Sequence, residues 1–217
     1  MFGRMKELKG KDKIVYYLEY YGWRTVGVIA VCSIIIFLVI HFTTSKEIVS
    51  GILAINCDGT SMKAVDDSYF DDLLSEMGYD TSKSTMTVNC TMYVKADYED
   101  PVTRTNMETI QTMFVTRVAD VFLADEEFFT AMAQSDYLAD LTDILTEEEL
   151  KRSEKNLVYA TNAITNQKIL AGIRVSNESA WMADTGWYKE GAVIGLASSR
   201  KADRLAQEIL RRAIGEV

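Results

Sequence analysis

Ile48 to Cys57 reads IVSGILAINC, an uncharged and largely apolar run with several β-branched residues that stops at Asp58-Gly59. A run of this kind, bounded by turn residues, reads as a buried strand. Its flanks decide what sheet it enters. Downstream, Asp66 to Met77 has a helical period: Val65, Tyr69, Phe70, Leu73, Leu74 and Met77 share one face. Asp66, Asp67, Asp71 and Asp72 lie opposite or near the amino end, where the helix dipole favours carboxylates, and Gly78 stops the helix. Thr85 to Val94, TMTVNCTMYV, alternates and is rich in Thr and Val, the pattern of a second strand. The chain then turns over Ala96 to Pro101. Asn106 to Arg117 is helical in period through Met107, Ile110, Met113 and Phe114, and Ala119 to Ala124, ADVFLA, is a third, short strand. A βαβαβ series of this order predicts a mainly parallel sheet covered by helices.

The pattern continues to the carboxyl end. Asp125 caps a helix to Gln134 with Glu126 and Glu127 in its first turn, and Thr146-Glu147-Glu148-Glu149 has the spacing of a capping box. LVYATNAI and KILAGIRV flank Thr165-Asn166-Gln167 and predict a hairpin between Leu157 and Val175, although the turn lacks glycine. Val193 to Ala197 is a last strand, and Arg200 to Ile214 a terminal amphipathic helix through Ala202, Leu205, Ala206, Ile209, Leu210 and Ala213. No repeat or low-complexity tract divides the region, so one α/β domain is expected over residues 48–217.

Upstream, Thr25 to Phe42, TVGVIAVCSIIIFLVIHF, contains no Asp, Glu, Lys or Arg. A helix of that length spans about 27 Å, enough to cross a bilayer. Arg4, Lys6, Lys9, Lys11, Lys13 and Arg24 against Glu7, Asp12 and Glu19 leave residues 1–24 at +3, while the whole chain is at −9. Basic residues tend to stay on the cytoplasmic side. The expected layout is therefore a cytoplasmic basic and aromatic segment over 1–24, a transmembrane helix over 25–43, a stalk over 44–47, and an extracellular domain. Tyr16, Tyr17, Tyr20, Tyr21 and Trp23 stand where amphipathic rings favour the headgroup level, and an interfacial helix is expected there. A cleaved signal peptide fits less well. The segment before the apolar run is long, the run exceeds a usual signal core, and HFTTSKEI offers no A-x-A-like site. The net charge of −9 argues against nucleic acid as a partner.

Ala119 to Leu145, ADVFLADEEFFTAMAQSDYLADLTDIL, resembles the extracellular solute-binding proteins of ABC importers. In that family a strand carrying an Asp-Val-Phe-like segment leads to a helix, then to an apolar turn and an Asp-Leu-Thr-like stretch. Asp120-Val121-Phe122 and Asp140-Leu141-Thr142 match in order and approximate spacing. Ser135-Asp136-Tyr137 stands where the family usually has a glycine. The resemblance extends loosely from Ile48 to about Val175. It implies one lobe of a protein whose relatives close two lobes over a solute, and the residues after the anchor suffice for one lobe.

His41 is the only histidine and lies at the membrane boundary, which removes triads built on histidine. Cys32, Cys57 and Cys90 are too dispersed for a zinc site, and no Walker or dinucleotide glycine pattern occurs. The acidic pairs read as solvated faces or helix starts. No cofactor, metal or enzymatic activity is therefore expected. Open α/β sheets bind ligands beyond the carboxyl ends of their strands, which nominates Asp58, Thr60 and Ser61 after the first strand and Asp125 after the third. Trp181, Asp184, Trp187 and Tyr188 lie in an irregular stretch that either stacks a ligand or covers the core. Cys57 and Cys90, on the first two strands, are either a disulfide or two small buried groups. Two functions remain open. One is a membrane-anchored binding or accessory module of the solute-binding kind, and the other a structural subunit paired with a membrane protein such as a permease.

Overall fold

The structure is a computed structural model that describes residues 10–58, 70–95, 99–200 and 203–215. The chain divides into two compact units, Met1–Lys46 and Glu47–Val217. Among its described residues, the first contains one helix, α1 (Lys11–Thr44), of 34 residues. The expected interfacial helix and the apolar run are thus a single uninterrupted rod. Its Gly22–Ile40 stretch of 19 residues is long and apolar enough to cross a membrane, and none of it is buried within the protein. A membrane anchor and a signal sequence share those properties.

The second unit is an α/β domain around one six-stranded sheet. Its strands are β1 (Glu47–Ile55), β2 (Ser84–Met92), β3 (Val121–Ala124), β4 (Leu157–Thr161), β5 (Lys168–Val175) and β6 (Ala192–Leu196). They lie in the order β2-β1-β3-β6-β5-β4. Pairs β1–β2 and β1–β3 are parallel, whereas β3–β6, β5–β6 and β4–β5 are antiparallel. The sheet is therefore mixed, and the expectation of a mainly parallel one is corrected. The parallel half is the βαβαβ stretch, where each crossover carries a helix. Beyond β3 the chain folds as a hairpin, and β6 then returns between β3 and β5, which local sequence does not announce.

Helices cover both faces. The described part of the first crossover, α2 (Asp71–Glu76), packs Leu73 and Leu74 into one apolar cluster with Ile52, Ala54, Val121, Leu123 and Ile194. The second crossover, α3 (Pro101–Val115), packs Ile110 and Phe114 into the opposite cluster with Leu53, Ile55 and Phe122. Successive strand residues divide between the two clusters as the pleat requires. Helix α3 begins earlier than its apolar period suggests, because the Asp100 carboxylate accepts the Thr103 N–H at 2.9 Å and Pro101 follows at the first helical position. Helix α4 (Glu126–Gln134) starts as expected, with Asp125 accepting the Phe128 N–H at 2.9 Å.

The capping box forms on α5 (Glu147–Arg152), and Arg211 ties it to the last helix through Glu149 at 2.9 Å. Ser179 caps α6 (Ala180–Thr185), which stops at Gly186 with φ 63°. The last helix, α7 (Arg204–Gly215), buries Leu205, Ala206, Ile209, Leu210, Ala213 and Ile214 against the first cluster. The β4–β5 hairpin turns without glycine because Asn166 takes the left-handed conformation (φ 59°) and the Asn162 side chain accepts the N–H groups of Ile164 and Thr165.

Two close approaches set the sheet. A Cβ on Gly51 would lie 1.9 Å from the Val118 carbonyl oxygen, so only glycine lets the chain entering β3 run this near β1. Across that contact the buried Asp120 accepts the Gly51 N–H at 3.0 Å, its own N–H donates to the Gly51 carbonyl at 2.8 Å, and its carbonyl accepts the Ala197 N–H at 2.9 Å. Phe129 lies over Gly172 and Gly195, where added Cβ atoms would come within 2.5 and 2.8 Å of its ring. It also stacks on Phe122 at 5.4 Å.

Candidate functional site

Strands β1 and β3 are neighbours, but the crossovers leaving them go to opposite faces, so their carboxyl ends form the topological switch point where open α/β sheets bind ligands. Asn56, Cys57, Asp58 and Asp125 stand there. Each polar side chain among them is committed to holding the edge together. Asn56, at φ 60°, donates from its amide to Asp125 at 2.6 Å and accepts the Val94 N–H at 2.7 Å. It thereby joins the ends of β1, β2 and β3. The second Asp125 oxygen caps α4.

The segment Trp187–Lys189 crosses this edge. The Asp58 N–H donates to the Trp187 carbonyl at 2.7 Å, and the Lys189 N–H donates to the Asp58 carboxylate at 2.5 Å. Tyr188, only 5% exposed, places its hydroxyl 2.7 Å from the Ile55 carbonyl oxygen and 3.2 Å from that of Leu123, the strand ends on either side of the switch point. The phenol ring fills the space that the topology would otherwise offer to a ligand. Burial holds its ionisation well above the ordinary tyrosine range, with the neighbouring Cys57 adding to the shift. Tyr188 therefore stays protonated and serves as a donor.

Trp187 is 0% exposed and belongs to the core cluster of α7 and Met182. Neither Trp187 nor Tyr188 offers a free ring face for stacking. Trp181 and Asp184 belong to helix α6. Thr60 and Ser61 lie outside the described residues. Cys57 and Cys90 are free thiols in one cluster, 7% and 6% exposed, and burial pushes Cys57 up to about 12.

The structure also brings together residues that the sequence nominated for no binding site. A pocket of ≈ 190 Å3 is lined by Asp136, Asp140, Asp143, Asn162 and Ser198 among others. It lies at the opposite edge of the sheet, where β4 and β6 end and β5 begins. Its polar atoms are largely satisfied from within. The Asn162 amide donates to Asp136 at 2.6 Å, and Asp140 accepts the Thr142 N–H at 3.0 Å, the Thr142 hydroxyl at 2.8 Å and the Leu170 N–H at 3.2 Å. Among the described residues, no group of three or more His, Cys, Asp or Glu side chains is arranged to hold a metal ion. Nothing local marked this pocket, because its walls come from the end of α4, a 3-10 turn, the hairpin and the end of β6. In both halves of the Asp120 to Thr142 segment the aspartate carboxylate accepts backbone N–H groups, from Gly51 at Asp120 and from Thr142 and Leu170 at Asp140.

No protein-family model, no curated protein and no solved structure matches the chain.

Proposed function

We propose that the chain is a single-pass membrane protein whose α/β domain, on the outer side, is a binding or accessory module related to one lobe of a solute-binding protein. In this reading it meets a membrane-protein partner, such as a permease, through its surface. The anchor is supported by the Gly22–Ile40 stretch, and the orientation by the basic segment before it. The lobe-like fold is supported by the β2-β1-β3 opening with helices on both faces.

The observation that carries the choice of a surface partner over an enclosed solute is the Tyr188 hydroxyl bonded to both strand ends at the switch point. A ligand entering there would have to displace a buried phenol, which costs about 3–5 kcal/mol for an aromatic side chain. The pocket lined by Asp136 and Asn162 favours a second reading, a small polar solute held away from the switch point.

The test uses the full chain. Whole cells are treated with an impermeant crosslinker, and the purified chain in lipid nanodiscs is melted against a panel of sugars, amino acids and peptides. A reproducible crosslink to a membrane protein with a flat panel supports the accessory module. A solute that raises the melting temperature by several degrees, with no crosslink, replaces it by the solute reading. A domain out of reach of the external reagent overturns the orientation.

A further inference from the structure

Cys57 and Cys90 are buried in the same apolar cluster, near the carboxyl ends of two neighbouring strands. Asn56 holds a φ of 60°, so the chain leaving β1 turns back, and the Cys57 thiol donates to the Ala54 carbonyl at 3.6 Å. Strand β2 lies beside β1 in parallel register, with Leu53 opposite Asn89 and Ile55 opposite Met92. Ala54 therefore faces the stretch Cys90-Thr91, where β2 carries one residue more than β1. Ala54, Cys57 and Cys90 all belong to the same buried cluster on the same face. By folding back over Ala54, the Cys57 sulfur enters the layer that Cys90 occupies one strand away. Ala54, whose carbonyl the Cys57 thiol meets, is the β1 residue beside Cys90, and neighbouring strands are about 4.8 Å apart, within the Cα range that a disulfide spans.

We propose that Cys57 and Cys90 are partners in an intramolecular disulfide that closes as the domain matures outside the cytoplasm. The compartment in this statement rests on the orientation proposed above; the pairing does not. One S–S bond forms and two S–H bonds break. The two electrons and two protons pass to a disulfide oxidant such as oxidised glutathione, whose own S–S bond is reduced to two thiols. Closure belongs to folding. Once buried, a thiol held far above its ordinary pKa gives little of the thiolate that attacks a disulfide. The bond would tether the end of β1 to β2 and close the chain between them, α2 included, so the unfolded state loses freedom.

The experiment uses the full chain carrying Cys32→Ser, so that only the pair remains. It is isolated from cells under denaturing conditions with immediate alkylation, and separately refolded in a reduced and oxidised glutathione buffer; both samples are digested and weighed. The expected result is a linked Cys57–Cys90 peptide without alkylation in both samples, and a melting temperature about 5–10 °C above that of the reduced chain. Alkylation of both thiols after refolding in the glutathione buffer overturns the pairing wherever the domain resides. Alkylation of both in chain from cells whose domain is reached by the external crosslinker overturns it for the native protein. Closure on refolding, with free thiols in cells whose domain the crosslinker does not reach, supports the pairing and removes the proposed orientation instead. A Cys57→Ala chain that melts with the reduced form shows that the gain comes from the bond.

Discussion

The Tyr188 hydroxyl stands 2.7 Å from the carbonyl oxygen of Ile55, at the end of the strand that begins the domain. That contact joins the irregular segment after α6 to the first strand, and through Leu123 to the third. It closes the edge at which a sheet of this topology would accept a ligand.

Removing the hydroxyl alone, in Tyr188→Phe, is expected to cost about 1–2 kcal/mol, since two buried carbonyls lose a donor. Tyr188→Ala removes the ring as well and should cost about 3–5 kcal/mol. Urea unfolding of the full chain in detergent, followed by circular dichroism, reads both. Equal losses in the two variants would show that the hydroxyl carries the whole effect and the ring none.

Gly51→Ala is expected to be the most disruptive single methyl addition in the domain. Its Cβ would sit 1.9 Å from the Val118 carbonyl oxygen, a backbone atom that moves only if β1 and the entry to β3 separate. Separation would also pull Asp120 from the Gly51 N–H. A loss of about 3 kcal/mol or more follows from overpacking together with a broken buried bond. A melting temperature within a degree of the parent would refute this account of the glycine.

Phe129 and Gly172 should be energetically coupled. Gly172→Ala places a Cβ 2.5 Å from the Phe129 ring, which the far end of the side chain can partly evade. A cost of about 1–3 kcal/mol is expected in the parent, and a smaller one in a Phe129→Leu background. A double-mutant cycle on unfolding free energies measures the difference, and strict additivity would count against the contact.

Glu149 gives the domain an acid-sensitive joint. Burial pushes its carboxyl upward, but the Thr146 backbone and hydroxyl and the Arg211 guanidinium outweigh that and leave it below its ordinary value of 4.5. A carboxyl depressed on folding stabilises the native state above its unfolded pKa, and that stability is lost as pH falls through the folded pKa. Glu149→Gln should therefore lower the urea midpoint at pH 7 and make little difference at pH 3. The same loss at both pH values would mean that shape rather than charge is responsible.

Ile35→Lys places a charge within the Gly22–Ile40 stretch. A lysine near the centre of a span costs about 2.5–3.5 kcal/mol of insertion, so the chain should shift from the carbonate-resistant membrane fraction toward the soluble one. Unchanged fractionation would remove the helix as an anchor.

Much of this architecture was legible along the chain because its causes are local. Apolar period separates strand from helix, Asp125 and Thr146 cap with their own side chains, and an uncharged run the length of a bilayer is visible without any contact. The β4–β5 hairpin was legible too, with Asn162 and Asn166 doing what glycine usually does. The start of α3 was missed because Asp100-Pro101 signals a helix by capping and fixed φ before its apolar period begins.

Sequence by itself determined the membrane-length helix, the α/β alternation of the domain and most element ends, since each follows from residues a few positions apart. Tertiary structure alone decided the mixed sheet, because the slot β6 takes between β3 and β5 depends on pairings among distant strands. It also decided that Tyr188 would be a plug rather than a stacking surface. A tyrosine in an irregular stretch is exposed or buried according to which carbonyls lie beneath it, and those of Ile55 and Leu123 arrive only when the whole sheet has formed.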